Sequence, residues 1–133
     1  MTVDSKHLQR SGPSSKGNYL MLKSGILNPH ILSLLARIRH TNTLVIADRG
    51  FPFWPQIETV DISLVDGVPR VLDVLNAIRA NHARTRKEFA AAFAGVPLTF
   101  EPHIEFKKRV PHAIGLIRTG ETIQYANMII ESA

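Results

Sequence analysis

Thr43-Leu44-Val45-Ile46-Ala47-Asp48-Arg49-Gly50 is the stretch on which the reading of the whole chain turns. The run from Leu44 to Ala47 has no polar break and is rich in strand formers, and Asp48, Arg49 and Gly50 then supply turn chemistry. A strand of this kind is buried on both faces, so helices are expected above and below it. It delivers Asp48 at its C-terminal end, where α/β folds place their ligands.

Upstream, Asn28 is suited to cap a helix and Pro29 to open its first turn. Ile31, Leu34, Leu35 and Ile38 recur at helical spacing, which predicts a helix ending near His40. Downstream, Phe51-Pro52-Phe53-Trp54-Pro55 reads as an aromatic loop kept out of regular structure by two prolines. Val60, Ile62 and Leu64 alternate with Asp61 and Ser63, the period of a second strand. Asp66-Gly67-Val68-Pro69 turns the chain into a helix with an apolar face of Val71, Leu72, Leu75 and Ile78. A further helix is expected over 84–94, closed by Gly95. A weak strand over 98–100, a short helix over 102–109 and strands over 113–117 and 125–131 complete the reading, with a turn at 118–121 between the last two. Strands alternating with helices indicate one α/β domain of three layers, α/β/α, with a mainly parallel or mixed sheet.

The bulk numbers fit one domain. At 133 residues with 44% hydrophobic content there is apolar material for a single core. The absence of cysteine removes disulfides, thiolate metal sites and cysteine nucleophiles, and suits a reducing compartment. No apolar run approaches the roughly 20 residues that span a bilayer. Residues 1–20 include Ser-Gly-Pro-Ser-Ser-Lys-Gly (11–17) and no secretory pattern, and they read as a flexible extension before a folded unit at 21–133. The formal charge of +5 permits nucleic-acid binding, but the cations are dispersed and no nucleic-acid motif interleaves with them. Glycine-rich phosphate loops, nucleophile elbows and metal-binding His-Glu-x-x-His helices are all missing from the sequence, which leaves proton transfer by ordinary side chains or binding without chemistry.

Several residues could carry such chemistry, and each has a plainer explanation. His40 precedes the strand whose far end carries Asp48, so the two meet only if a loop or a neighbouring subunit folds back. A histidine near a helix C-terminus also suits the helix dipole, and an aspartate after a strand is a common turn former. His103 and Lys107, four apart on one helix face, would offer an imidazole and an ammonium to one ligand, or else form a solvated surface. Tyr125 and Asn127, two apart on the expected last strand, would share a side and present a phenol beside an amide, or else mark a half-buried strand start. His30, His82 and His112 stand in no comparable pattern.

Four segments taken together resemble one family. They are Met21-Leu-Lys-Ser-Gly-Ile-Leu-Asn28, Arg39-His40-Thr41 leading to Ile46-Ala47-Asp48, Pro102-His103-Ile-Glu-Phe-Lys-Lys108, and Ile117-Arg-Thr-Gly-Glu121 continuing to Tyr125-Ala126-Asn127. In order and combination they are similar to the D-ribose pyranase and L-fucose mutarotase family, with Tyr125-Ala126-Asn127 and Asp66-Gly67-Val68-Pro69 closer to the ribose side. The resemblance implies a cytoplasmic isomerase without cofactor or metal, assembled in rings, commonly pentamers paired into decamers, with its sites between adjacent subunits. By resemblance His40 is the proton donor, Asp48 and His103 bind the sugar, and Tyr125, Ala126 and Asn127 line the rest of the pocket. A non-catalytic sugar-binding subunit associated with transport is the alternative. Two departures stand out. The run 78–100 lacks a strand-forming segment and helix that family members carry, which bears on ring assembly. Arg49 and Phe51 to Pro55 replace smaller residues after the aspartate, which implies an altered or partly filled pocket.

Overall fold

A computed structural model describes residues 25–85 and 99–132. Helix α1, Pro29–Ala36, opens as its sequence dictates: the Asn28 side chain accepts from the N–H groups of His30 and Ile31, both at 3.0 Å. It stops short of His40. The Asn42 side chain accepts from the Arg39 N–H at 2.7 Å, and the Asn42 N–H returns to the Arg39 carbonyl at 3.1 Å. That local bonding competes with the helical ladder and draws 39–42 into a turn with Thr41 at φ 65°.

Strand β1, Thr43–Ala47, is one of the two interior strands of a four-stranded mixed sheet. The other strands are β2, Glu58–Asp61, β3, Gly115–Arg118, and β4, Met128–Glu131, in the order β2-β3-β1-β4. β1 and β2 both run parallel to β3, and β4 pairs antiparallel with β1. The second strand is therefore shorter than its alternation predicts. Ile62 still donates to the Arg118 carbonyl at 2.9 Å, but Leu64 is bonded to Val68 across a turn and is 77% exposed. Helix α2, Val71–Thr85, buries Val71, Val74 and Ile78. Leu72, expected on that face, is exposed, because Val74 occupies the position over the sheet. Helix α3, His103–Arg109, runs into a single 3-10 turn, Val110–His112.

The alternation of β1 divides the core into its two halves. Leu44 and Ile46 face α1 and α2, packing with Ile31, Leu34, Val74 and Ile78. Val45 and Ala47 face the other way, against Phe51, Val110 and Ala113, with Phe106 of α3 and Trp54 at the margin. The sheet thus has α1 and α2 on one side and α3 with the aromatic loop on the other, the three layers expected. Residues 99 and 100 form no strand. The predicted helix over 84–94 lies outside the described residues apart from its first two, which continue α2, and so do the readings at 1–24 and Leu98.

Two charged groups tie the ends of β2 and β3 together. Arg118 donates to Asp61 Oδ2 at 3.0 Å and to the Phe51 carbonyl at 2.8 Å. Partial burial acts to raise the Asp61 pKa, but hydrogen bonds from the Ser63 hydroxyl and N–H, with the Arg118 guanidinium, outweigh it and hold the carboxyl below its ordinary value.

Leu34→Ala should destabilise the fold by about 3 kcal/mol, since Leu34 is wholly buried between α1 and the sheet. Chemical denaturation measures it, and a loss below about 1 kcal/mol would contradict the packing. The depressed Asp61 pKa contributes stability that is complete above the unfolded value and disappears as pH falls through the folded one. Asp61→Asn should therefore cost about 0.5 kcal/mol at pH 7, the scale of an exposed pair, and almost nothing near pH 2. Equal costs at both pH values would show that the ionised form is not what matters.

Candidate active site

β1 is buried on both faces and carries Asp48, itself 8% exposed, to the C-terminal edge of the sheet. A buried carboxylate must be hydrogen-bonded, and this one is. Its Oδ1 accepts from the Gly50 N–H at 3.1 Å and its Oδ2 from the Tyr125 N–H at 3.0 Å. The Asp48 N–H donates to Asn127 Oδ1 at 2.7 Å. Two segments separated by 77 and 79 positions are thereby joined at one residue. The bonds leave unused lone pairs on the carboxylate and both N–H groups of the Asn127 amide for a ligand.

Tyr125 and Asn127 do converge, but not as two residues on one face of a strand. The strand starts at Met128, and Tyr125 adopts φ 64°, left-handed backbone. Capture of its N–H by Asp48, together with the Asn127 N–H to Tyr125 carbonyl bond at 2.8 Å, favours a turn over continued pairing. Ala126 lies between them, half-buried, its N–H donated to the Ile123 carbonyl at 3.2 Å. From α3 the His103 ring comes within 4.7 Å of the Tyr125 ring, centroid to centroid, at 63°. Buried Phe51 meets His103 edge-on at 6.4 Å and Phe106 at 6.2 Å. Carboxylate, imidazole, phenol and amide, drawn from three separate stretches of chain, stand around one edge of the sheet.

Phe51 belongs to the core. It is 4% exposed and supports the imidazole from below, while Trp54 is half-buried and Phe53 alone of that trio is exposed. Arg49 pairs with Asp66 in the loop after β2. Lys107 is half-buried one turn beyond His103, with nothing joining it to the Asp48 cluster.

His40 stands elsewhere. It is exposed and precedes the N-terminal end of β1, and the rise from Thr43 to Asp48 alone is roughly 16 Å. Within one chain His40 cannot share a ligand with Asp48.

Two buried polar residues at this edge escape a sequence reading. Thr119 donates its hydroxyl to the Ala47 carbonyl at 2.8 Å and accepts the Glu121 N–H at 3.1 Å. Glu121, 4% exposed, accepts the N–H groups of Thr122 and Ile123. Their stretch is part of a segment that carries the family resemblance and locally reads as a turn, but burial of a turn carboxylate has no local signature. Among the described residues no three His, Asp or Glu side chains are grouped to hold a metal ion, and no helix is long and apolar enough to cross a membrane. Six of the described cations stand against carboxylates.

The model of the RbsD / FucU transport protein family matches residues 21–83 and 78–133, two stretches that meet where the sequence reading locates a missing segment. A D-ribose pyranase of Chromobacterium violaceum is 41% identical over 128 residues, covering 84% of this chain and 97% of the relative. One from Geobacillus kaustophilus is 39% identical over 127 residues, covering 84% and 93%. The structure of Bacillus subtilis RbsD complexed with D-ribose superposes with a TM-score of 0.70 at 32% identity, covering 85% of this chain and 98% of that one. A fucose mutarotase from Streptococcus pneumoniae, in complex with L-fucose, shares the fold with a TM-score of 0.58 at 20% identity, over 79% and 91%. From its first matched residue to its last, this chain belongs to the RbsD / FucU family.

Proposed function

We propose that this chain is a monosaccharide mutarotase of the D-ribose pyranase type, which opens and recloses the ring of a free sugar and so exchanges its pyranose, furanose and anomeric forms. The observation that carries the reading is the convergence of Asp48, His103, Tyr125 and Asn127 in a chain 41% identical to a D-ribose pyranase. These groups match a sugar: unused lone pairs on a carboxylate, two amide N–H groups, a phenol and an imidazole, supplied at an edge with an aromatic wall. Ala126 lines the turn between them, and Lys107 is near enough in sequence to His103 to border the pocket.

Ring opening removes the anomeric hydroxyl proton and protonates the ring oxygen, and reclosure through another hydroxyl reverses both transfers. It needs an acid and a base and no cofactor. Imidazole titrates near neutrality and serves both directions, with acid–base assistance of roughly a hundred- to ten-thousandfold. His40 is assigned this role and, standing at the opposite end of β1 from Asp48, acts on the sugar held by a neighbouring copy. The molecule is then a cytoplasmic homo-oligomer with sites between subunits, in pentameric or decameric rings if it follows the resemblance.

Surface chemistry supports such a neighbour. Phe53, Leu64, Val65 and Ile123 lie on the loops that follow β1, β2 and β3, and are 69%, 77%, 61% and 57% exposed. Apolar side chains gathered on one edge are what an interface covers.

His40→Ala should slow ribose ring interconversion roughly a hundredfold while changing affinity less than about threefold, because a proton-transfer group acts mainly in the transition state. Asp48→Asn should damage both, since an amide cannot accept from two N–H groups and a sugar hydroxyl as a carboxylate does. Exchange NMR reads rate and affinity on one sample. Wild-type protein that binds ribose without accelerating exchange would establish the binding-subunit alternative instead.

A further inference from the structure

Glu121 is a buried carboxylate to which the chemistry above gives no part. Its Oε2 accepts from the Thr122 N–H at 3.0 Å and the Ile123 N–H at 3.4 Å, and its Oε1 faces Arg70 Nε at 3.8 Å. Its main chain is fastened as well. The N–H donates to Thr119 Oγ1 at 3.1 Å, and the carbonyl accepts the Arg49 N–H at 3.1 Å.

These bonds form a closed circuit around the site. Arg49, held by the Glu121 carbonyl, follows Asp48 directly. Thr122 and Ile123, held by the Glu121 carboxylate, begin the turn that ends at Tyr125, and Tyr125 returns its N–H to Asp48 Oδ2 at 3.0 Å. The Ile123 carbonyl also receives the Ala126 N–H at 3.2 Å. Tyr125 itself sits at φ 64°, a conformation that L residues adopt only when their surroundings impose it. The neighbouring Gly120 keeps the circuit rigid: a Cβ there would lie 2.4 Å from the Val65 carbonyl oxygen and 2.5 Å from that of Val68, so the strand end and the loop after β2 are in direct backbone contact.

We infer that Glu121 is the positioning residue of the sugar site: by accepting the first two N–H groups of the 122–125 turn, it sets the left-handed backbone of Tyr125 and so holds the phenol against His103. What the phenol then does rests on the mutarotase reading. Where it stands rests on the hydrogen bonds alone. Acceptance of N–H groups at full side-chain reach is the required property, and negative charge toward Arg70 is secondary at 3.8 Å.

Two substitutions in the full-length protein separate these properties. E121Q keeps an acceptor oxygen at the same reach without the charge, whereas E121D keeps the charge and shortens the reach by one methylene. Hydrogen exchange of the Tyr125 amide, followed by 15N NMR, reports the position of the turn, and exchange NMR with D-ribose reports its consequence. E121Q should remain within about twofold of wild type in both, and E121D should exchange the Tyr125 amide and lose ribose interconversion roughly tenfold, the scale of one missing hydrogen bond. A protected Tyr125 amide in E121D, or an E121Q as impaired as E121D, overturns the inference. Should E121D fail to fold, E121Q decides alone, since loss of Tyr125 protection there is equally fatal. Wild-type protein without ribose turnover sinks the mutarotase reading and leaves the amide comparison intact.

Discussion

The carboxylate of Asp48 is the constraint around which this structure is organised. Removed from water at the end of β1, it must find donors, and it takes them from Gly50 and from Tyr125, 77 residues away. The Asn127 side chain completes the join by accepting the Asp48 N–H. One acidic group thus couples the loop after β1 to the turn before β4, and the polar groups of the site are those left over once its own bonds are made.

The rest of the fold makes that burial possible. β1 has neighbours on both edges and apolar side chains on both faces, so its C-terminal end is a fixed platform. On one side Leu34 packs so closely over the sheet that a Cβ at Gly115 would fall 2.6 Å from its Cδ1. On the other, Phe51 stands beneath His103 and beside Phe106, and its carbonyl is held by Arg118 at 2.8 Å. The imidazole is therefore placed by core packing while the carboxylate and the phenol are placed by hydrogen bonds.

Much of this was legible in the sequence, for local reasons. The Asn28 cap, the buried run of β1 and the helix carrying His103 are written in contiguous residues whose preferences agree with the fold. The errors arise where distant groups overrule local pattern. Tyr125 looks like strand until Asp48 claims its N–H, and Leu64 continues an alternation that the turn to Val68 breaks. Phe51 looks like a bulky intrusion because only the packed structure shows it inside the second core half. Thr119 and Glu121 read locally as turn residues, since burial of polar groups depends on what the chain brings over them. The separation of His40 from Asp48 was legible from the start: a strand joins them, and a strand keeps its ends apart.

In the proposed mechanism that separation requires His40 of one copy to serve Asp48 of another. Co-expression of His40→Ala and Asp48→Asn chains, each strongly impaired alone, tests it directly by ribose exchange NMR on the mixed oligomer. Random assembly restores a wild-type pairing at about a quarter of the sites, so the account predicts about a quarter of wild-type activity. Mixed oligomers that stay inactive would contradict it.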